Sequence, residues 1–450
     1  MNENNLKSIS PIDGRYNKIS SKISSYFSEY AFIKYRVYVE IEYFKALCDI
    51  PLKQLASISS SDKKKISSIA SKFSLENANR IKKIEQTINH DVKAVEYFIK
   101  EKFDDLGLEN YKEFIHFGLT SQDINNTATP LMLKFCLKDI LLPSLDDVLK
   151  LLKNKSDDFI NISMIARTHG QAASPTTFGK EINVFYERIK NQLNLLYKIP
   201  NNGKFGGASG NLNAHYVSYP SIDWNNFSNK FLERLGLERS KPTTQIEHYD
   251  NMAAIFHNLS RINTILIDFC KDIWHYISIN YLIQKVNKKE VGSSAMPHKI
   301  NPIDFENAEG NLMLANSLYT FFSEKLPISR LQRDLTDSTV SRNIGLPLAY
   351  TKIAFDSIIK GINKLDIGKE TIEKDLNDNW AVISEAIQTI LRREKISNPY
   401  ELLKDLTRSN DNITKESISK FINDLPINQK IKDELSKISP KNYIGNSNKK

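Results

Sequence analysis

YDNMAAIFHNLSRINTILIDFCKDIWHYISINYLIQ, residues 249–284, lies in a span from Pro242 to Gly292 with no internal proline or glycine. Within it Met252, Ile255, Leu259, Ile262, Leu266, Phe269, Ile273 and Tyr276 recur in alternating steps of three and four. That spacing places apolar side chains on one stripe of a helix. A helix from about Tyr249 to Gln284 would run about 54 Å, too long to be covered by a small domain of its own. Phe178, Ile182, Phe185, Ile189, Leu193 and Leu196 read the same way, as do Phe305, Ala308, Leu312, Ala315, Tyr319 and Phe322. Long striped helices imply a bundle, and stripes left uncovered imply association of subunits. No alternating strand of any length is evident, so the chain is expected to be all-α.

At 450 residues the chain exceeds one ordinary core, and two or three domains are expected. No apolar run approaches the ~20 residues of a membrane span, and MNENNLKSIS lacks an apolar signal core. A soluble, cytoplasmic protein is expected, with no membrane partner. Cys48, Cys136 and Cys270 are scattered, which suggests neither a disulfide framework nor a zinc site. The net charge of +9 invites a nucleic-acid reading, yet runs such as Lys63–Lys65 carry no interleaved aromatics for stacking bases. No nucleic-acid partner is expected; a pocket for a small anion needs only a few of these charges.

Earlier in the chain, SPIDGRYN (10–17) is a turn ending in Arg15 and Tyr16. A loop arginine is usually just solvated, but beside a tyrosine it can clamp a carboxylate or phosphate. Tyr26, Tyr30, Ile33, Val37, Ile41 and Phe44 form a helical stripe closed by Pro51, and Ser60, Ser61 and Asp62 offer caps for the next helix. TINHDVKAVEYFIK (87–100) reads as one helix with a polar insertion, Asn89-His90-Asp91, ahead of its apolar face. In FIHFGLTSQDINNTATP (114–130), Thr120 and Ser121 precede Asp123, which on physical grounds could be an N-cap and nothing more.

ARTHGQAASPTTFGKE (166–181) sets Arg167, Thr168, His169, Gly170 and Gln171 in a polar loop before a helix starting near Thr177. His169, between a hydroxyl and a glycine, is left accessible, although such a histidine is as often structural as catalytic. SRLQRDLTDSTVSRN (329–343) interleaves Arg330, Arg333 and Arg342 with Thr336, Ser338 and Thr339. That mixture suits a phosphate or dicarboxylate, or simply a solvated helix start. Finally, VGSSAMPHKINPIDFENAEGN (291–311) has a paired hydroxyl, Ser293 and Ser294, after Gly292. Asn301 and Pro302 then open a helix with Asp304 and Glu306 in its first turn. It reads as a glycine-hinged loop delivered onto a helix N-terminus, a place suited to anions, or more plainly as a surface loop before a helix.

GSSAMPHKINP resembles the signature loop of the fumarase/aspartase superfamily, and its continuation IDFEN, with NHDVKAVEY, RTHGQ, TTQIE and QRDLTDST, resembles the adenylosuccinate lyase family within it. The match spans most of the chain to about Gly345; SNPYELLKDLTR and SPKNYIG resemble the C-terminal helical part of the longer bacterial form. This resemblance implies three helical domains, 1–112, 113–364 with the signature loop 291–302, and 365–450. It also implies a homotetramer with long central helices in a shared bundle and each active site built from three subunits. The substrates implied are adenylosuccinate and SAICAR, with no cofactor and no metal. Argininosuccinate lyase, fumarase and aspartase share the GSS loop, but NHDVKAVEY and QRDLTDST discriminate against them.

By the same resemblance Ser293 is the general base and His169 the proton donor. Substrate contacts fall on Arg15, Tyr16, Asn89, His90, Asp91, Thr120, Ser121, Thr168, Gln245, Ser294, Lys299, Asn301, Asn307, Arg333, Ser338, Thr339 and Arg342. Glu306 of another subunit would orient His169. Two departures stand out: Ala172 where proline is expected, and His248-Tyr249 where the family has Pro-His, so no role passes to His248. Serine is normally far too weak a base; loop N–H groups, the following helix dipole and Lys299 would have to stabilise its alkoxide.

Overall fold

A computed structural model describes residues 6–285, 296, 299–409 and 413–447, the side chains of 405–409 excepted. The chain divides into two compact units. The first comprises Met1–Leu145, Gln192–Thr264 and Gly310–Asp356; the second comprises Asp146–Asn191, Ile265–Glu309 and Ser357–Lys450. The architecture is all-α in its elements of any length, with only short two-stranded pairings among the described residues.

In the first unit, helix Glu29–Leu47 is the axis of the core: Val37, Val39, Ile41, Tyr43 and Leu47 are fully buried. Helices Ser60–Ser71, Leu75–Ile88, Asp91–Asp105 and Ser121–Cys136 pack around it. Its start is fixed by Ser28, whose side chain accepts the Ala31 N–H at 3.1 Å, a cap worth about 1 kcal/mol. The next helix is capped one residue earlier than the expected serines, by Ser59 in a reciprocal box with Asp62.

The expected unbroken helix through Thr87–Lys100 is in fact two. Asn89 closes the first in the left-handed conformation (φ 52°, ψ 40°), and His90, extended, opens the second. Asparagine tolerates that conformation because its short polar side chain bonds locally.

The long helix also stops short of Gln284, running Asp250–Ser278 over 29 residues, about 44 Å. Its end is a Schellman motif, with Asn280 left-handed at φ 58°. The Tyr281 N–H returns to Tyr276 O at 2.9 Å and the Asn280 N–H to Ile277 O at 3.0 Å. The Tyr276 and Tyr281 rings stack at 6.1 Å, the apolar contact that accompanies such caps. Leu282–Gln284 then pairs antiparallel with Leu365–Ile367. Every stripe residue named for Phe178–Leu196 and for Phe305–Phe322 is buried, as the periodicity demands.

The loop expected over Ala166–Thr176 is instead a β-hairpin of β1 (Ser163–Thr168) and β2 (Gln171–Thr177), leading into helix Phe178–Leu196. Its strands are too short and too mixed in burial to register as alternation.

Candidate active site

In the first unit a cavity of about 610 Å³ is lined by Asn89, His90, Asp91, Ser121, Asn125, Arg333, Ser338, Thr339 and Arg342, together with Glu85 and Leu335. Eight of the residues singled out from three separate stretches of sequence thus line one space. The helix break supplies the first group. His90 N-caps Asp91–Asp105, its Nδ1 accepting the Lys93 N–H at 3.2 Å, so in the neutral ring the proton sits on Nε2.

Asp91 lies in the positive first turn of that helix, where its Oδ1 accepts the Val92 N–H at 2.8 Å. Its Oδ2 receives Arg36 Nη2 at 2.8 Å and Arg342 Nη2 at 3.0 Å. Burial pushes the Asp91 carboxyl up, but Arg36, the Val92 amide and Arg342 outweigh it and hold it below the usual range. Arg36, itself buried, also donates Nε to Asn125 Oδ1 at 2.8 Å, so one hidden guanidinium sets two side chains of the cavity wall.

The arginines differ in what they have to spare. Arg342 is already paired with Glu29 at 2.7 Å as well as with Asp91. Arg333 leans on neutral partners: Nη2 donates to Ser338 Oγ at 3.0 Å and Nη1 to Gln245 Oε1 at 3.4 Å. Of the two ways round for the buried Gln122 amide, the one satisfying both ends turns its oxygen to Arg333 Nε at 3.0 Å. Asp337 stands 3.8 Å from Nε and is engaged by the Tyr249 hydroxyl at 3.1 Å and the Ser338 N–H at 2.7 Å. Arg333 is therefore a positioned cation without a hydrogen-bonded carboxylate, the better anchor for an anion. Gln245 is held in turn, its Nε2 donating to Ala208 O at 3.0 Å.

Thr120 does what a bare N-cap does: it forms a capping box with Asp123 at the head of Ser121–Cys136. Asp123 has a larger task that the sequence did not disclose. Fully buried, it accepts Lys204 Nζ at 2.8 Å and the Gly206 and Gly207 N–H groups at 2.8 and 3.1 Å. A second pairing was equally hidden: His116, left-handed at φ 59°, meets buried Glu40 at 2.5 Å. Burial works against the imidazolium, but Glu40 overrides it and His116 binds its proton more tightly than a free histidine. The only sequence signals were a histidine two residues before a glycine and a glutamate on an apolar helix face.

Arg15 and Tyr16 lie at the start of the same unit, the guanidinium 5.9 Å from the tyrosine ring centre, and do not line the cavity. The remaining predicted residues that are described belong to the second unit. Thr168 and Gln171 pair at the end of the hairpin, and His169 and Gly170 form a two-residue turn with φ of 54° and 76°. Positive φ at both is the signature of the turn that matches strand twist, and it leaves His169 exposed at the tip.

Lys299 is exposed, its N–H bonded to Met296 O at 3.0 Å. Asn301 and Pro302 precede helix Ile303–Lys325, which starts one residue later than expected. Asn307 accepts from Ser357 Oγ at 2.8 Å, and Glu306 accepts from Trp274 Nε1 at 3.1 Å. Ser293 and Ser294 lie outside the described residues. Among the described residues, no three His, Cys, Asp or Glu side chains gather as a metal site would require.

Known proteins share this fold. In solved structures the fold is that of a fumarate lyase from Mesorhizobium sp. BNC1, with a TM-score of 0.75 at 18% identity over 95% of this chain and 96% of that one. It is equally that of a 3-carboxy-cis,cis-muconate lactonizing enzyme from Pseudomonas putida, with a TM-score of 0.70 at 17% identity over 95% and 94%. A family model described as lyase matches residues 14–316, which defines the class.

A second, described as adenylosuccinate lyase C-terminal, matches residues 329–444. Adenylosuccinate lyase from Dictyostelium discoideum is 56% identical, covering 98% of this chain and 97% of the relative. The same enzyme from Escherichia coli K12 is 44% identical, covering 99% and 98%. The chain belongs to the adenylosuccinate lyase family.

Proposed function

We propose that the chain eliminates fumarate from adenylosuccinate, leaving AMP, and from SAICAR, leaving AICAR, in purine nucleotide biosynthesis. The observation that carries the reading is Arg333, an anchored cation with charge to spare, facing a cavity walled by Ser121, Ser338, Thr339 and the Asn89–Asp91 corner. Such a wall suits a substrate with a phosphate and two carboxylates.

The chemistry is a β-elimination divided between a base and an acid. Ser293, as alkoxide, takes a proton from the carbon beside a succinyl carboxylate. The electron pair left behind forms the double bond of fumarate as the carbon–nitrogen bond breaks. His169 protonates the departing nitrogen, and its exposed position at a hairpin tip supports that role. Lys299 and Asn301 stabilise the doubly charged carboxylate as the proton leaves. Arg15, Tyr16, Thr120, Thr168, Gln245, Ser294, Asn307 and Arg342 complete the contacts, and Glu306 of another subunit orients His169.

The active form is a homotetramer in the cytoplasm. Exposed Leu314 and Phe321 on helix Ile303–Lys325, and Trp274 on Asp250–Ser278, support subunit contact. Cys48, Cys136 and Cys270 are free thiols, which suits a reducing compartment. Ultraviolet detection of AMP and fumarate from adenylosuccinate tests the reading: turnover is expected with it and with SAICAR. Turnover of argininosuccinate, malate or aspartate in their place would refute it.

A further inference from the structure

The stretch after Gly345 shows no chemistry of its own in the sequence, yet in the second unit it holds the hairpin that presents His169. The Arg167 guanidinium, two residues before the tip, donates Nη2 to Asp375 Oδ2 at 2.5 Å. The Tyr281 hydroxyl donates to the same oxygen, and Asn379 Nδ2 donates to Oδ1 at 2.9 Å. Partial burial works against the charge on Arg167, but Asp375 more than offsets it and holds the guanidinium firmly charged. Burial and the same carboxylate push the Tyr281 hydroxyl well above its usual value, so it stays a donor.

On the other strand Ser174 donates to Glu385, which also accepts from the Tyr443 hydroxyl at 2.9 Å. Both strands of the hairpin are thus fastened to carboxylates of the C-terminal region. Tyr281 in turn opens the strand Leu282–Gln284, after which the signature stretch follows in sequence.

We infer that Asp375 is a positioning residue for proton transfer by His169, clamping Arg167 beside the turn of the hairpin so that the imidazole at its tip is held in register with the leaving nitrogen. The inference rests on the reading of His169 as proton donor. A side chain that acts only by aiming a catalytic group alters turnover without altering how well substrate is held.

The test is steady-state kinetics on the purified full-length oligomer with adenylosuccinate, comparing Asp375→Ala, Asp375→Asn, His169→Ala and the His169→Ala/Asp375→Ala double variant. Asp375→Ala is expected to lower kcat about 10- to 100-fold, the cost of a misplaced reacting group, with KM within about twofold. Asp375→Asn, which keeps an acceptor oxygen and the side-chain shape, is expected to lie between it and wild type, and it decides the matter if the alanine variant does not fold. In the His169→Ala background the Asp375 change is expected to cost nothing further. Losses that multiply there, or wild-type kcat in the folded Asp375 variants beside a dead His169→Ala, would overturn the inference alone. Undiminished turnover by His169→Ala would overturn the reading beneath it as well.

Discussion

Arg333 and Arg342 line the same cavity with unequal freedom, and that difference is measurable. Arg342 is neutralised by Glu29 and Asp91, whereas Arg333 rests on Ser338, Gln245 and Gln122. Removing a hydrogen bond to a charged group costs about 1.5–3 kcal/mol, so Arg333→Ala is expected to raise KM for adenylosuccinate roughly 10- to 100-fold. Initial rates against substrate concentration check it.

The Glu40–His116 pair makes a pH prediction. His116 is held protonated above its unfolded value of about 6.5, so its contribution is fully present below that pH and is lost as pH rises through the native value. Glu40→Gln should therefore destabilise the protein by about 1–3 kcal/mol near pH 6 and by less near pH 9, as thermal melts would report. Glu96 and Asp123 also favour the charged imidazole and remain in the variant, so part of the shift persists.

At this scale the sequence was legible where special residue types crowd together, as in Asn89-His90-Asp91 or Arg333 to Arg342. It was silent on Glu40–His116 and Lys204–Asp123, whose partners stand 76 and 81 residues apart and meet only through the fold.

Two corners organise the elements that matter, and both depend on left-handed backbone. At the first, Asn89 and His90 end one helix and start the next, turning toward the cavity the residues that a continuous helix would spread around its axis. At the second, His169 and Gly170 turn the hairpin. Space around Gly170 is open, so a Cβ there meets no neighbour, and the cost of replacing it is conformational alone. Gly170→Ala is expected to lose about 1 kcal/mol of stability, read by denaturant unfolding, and to lower kcat more than it alters KM.

Helix ends proved legible to within a residue or two where a capping pattern was local, as at Ser59 and Thr120. The hairpin was not legible, because strands of six and seven residues with one exposed end carry too little alternation. Nor was the Schellman stop at Asn280, since asparagine inside an apolar run gives no warning of it.

For the whole chain, the all-α architecture followed from the helical stripes together with the lack of any long alternating strand, because every stripe needs a partner helix. The stripes do not account for Met313, Leu314 and Phe321, which remain exposed on helix Ile303–Lys325 of the single chain. In the proposed homotetramer neighbouring subunits would cover them, so Phe321→Asp is expected to give smaller species than wild type in sedimentation or light scattering and to lower activity in parallel. The proposed function divides the chemistry between separate stretches: Arg333 and its cavity would hold the substrate, while His169 and Ser293 would move protons.

That division is tested most directly by measuring kcat and KM for adenylosuccinate in His169→Ala and Arg333→Ala side by side with wild type. In His169→Ala kcat is expected to collapse with KM little changed, and in Arg333→Ala KM is mainly expected to rise. Wild-type kcat in a folded, assembled His169→Ala protein would contradict it.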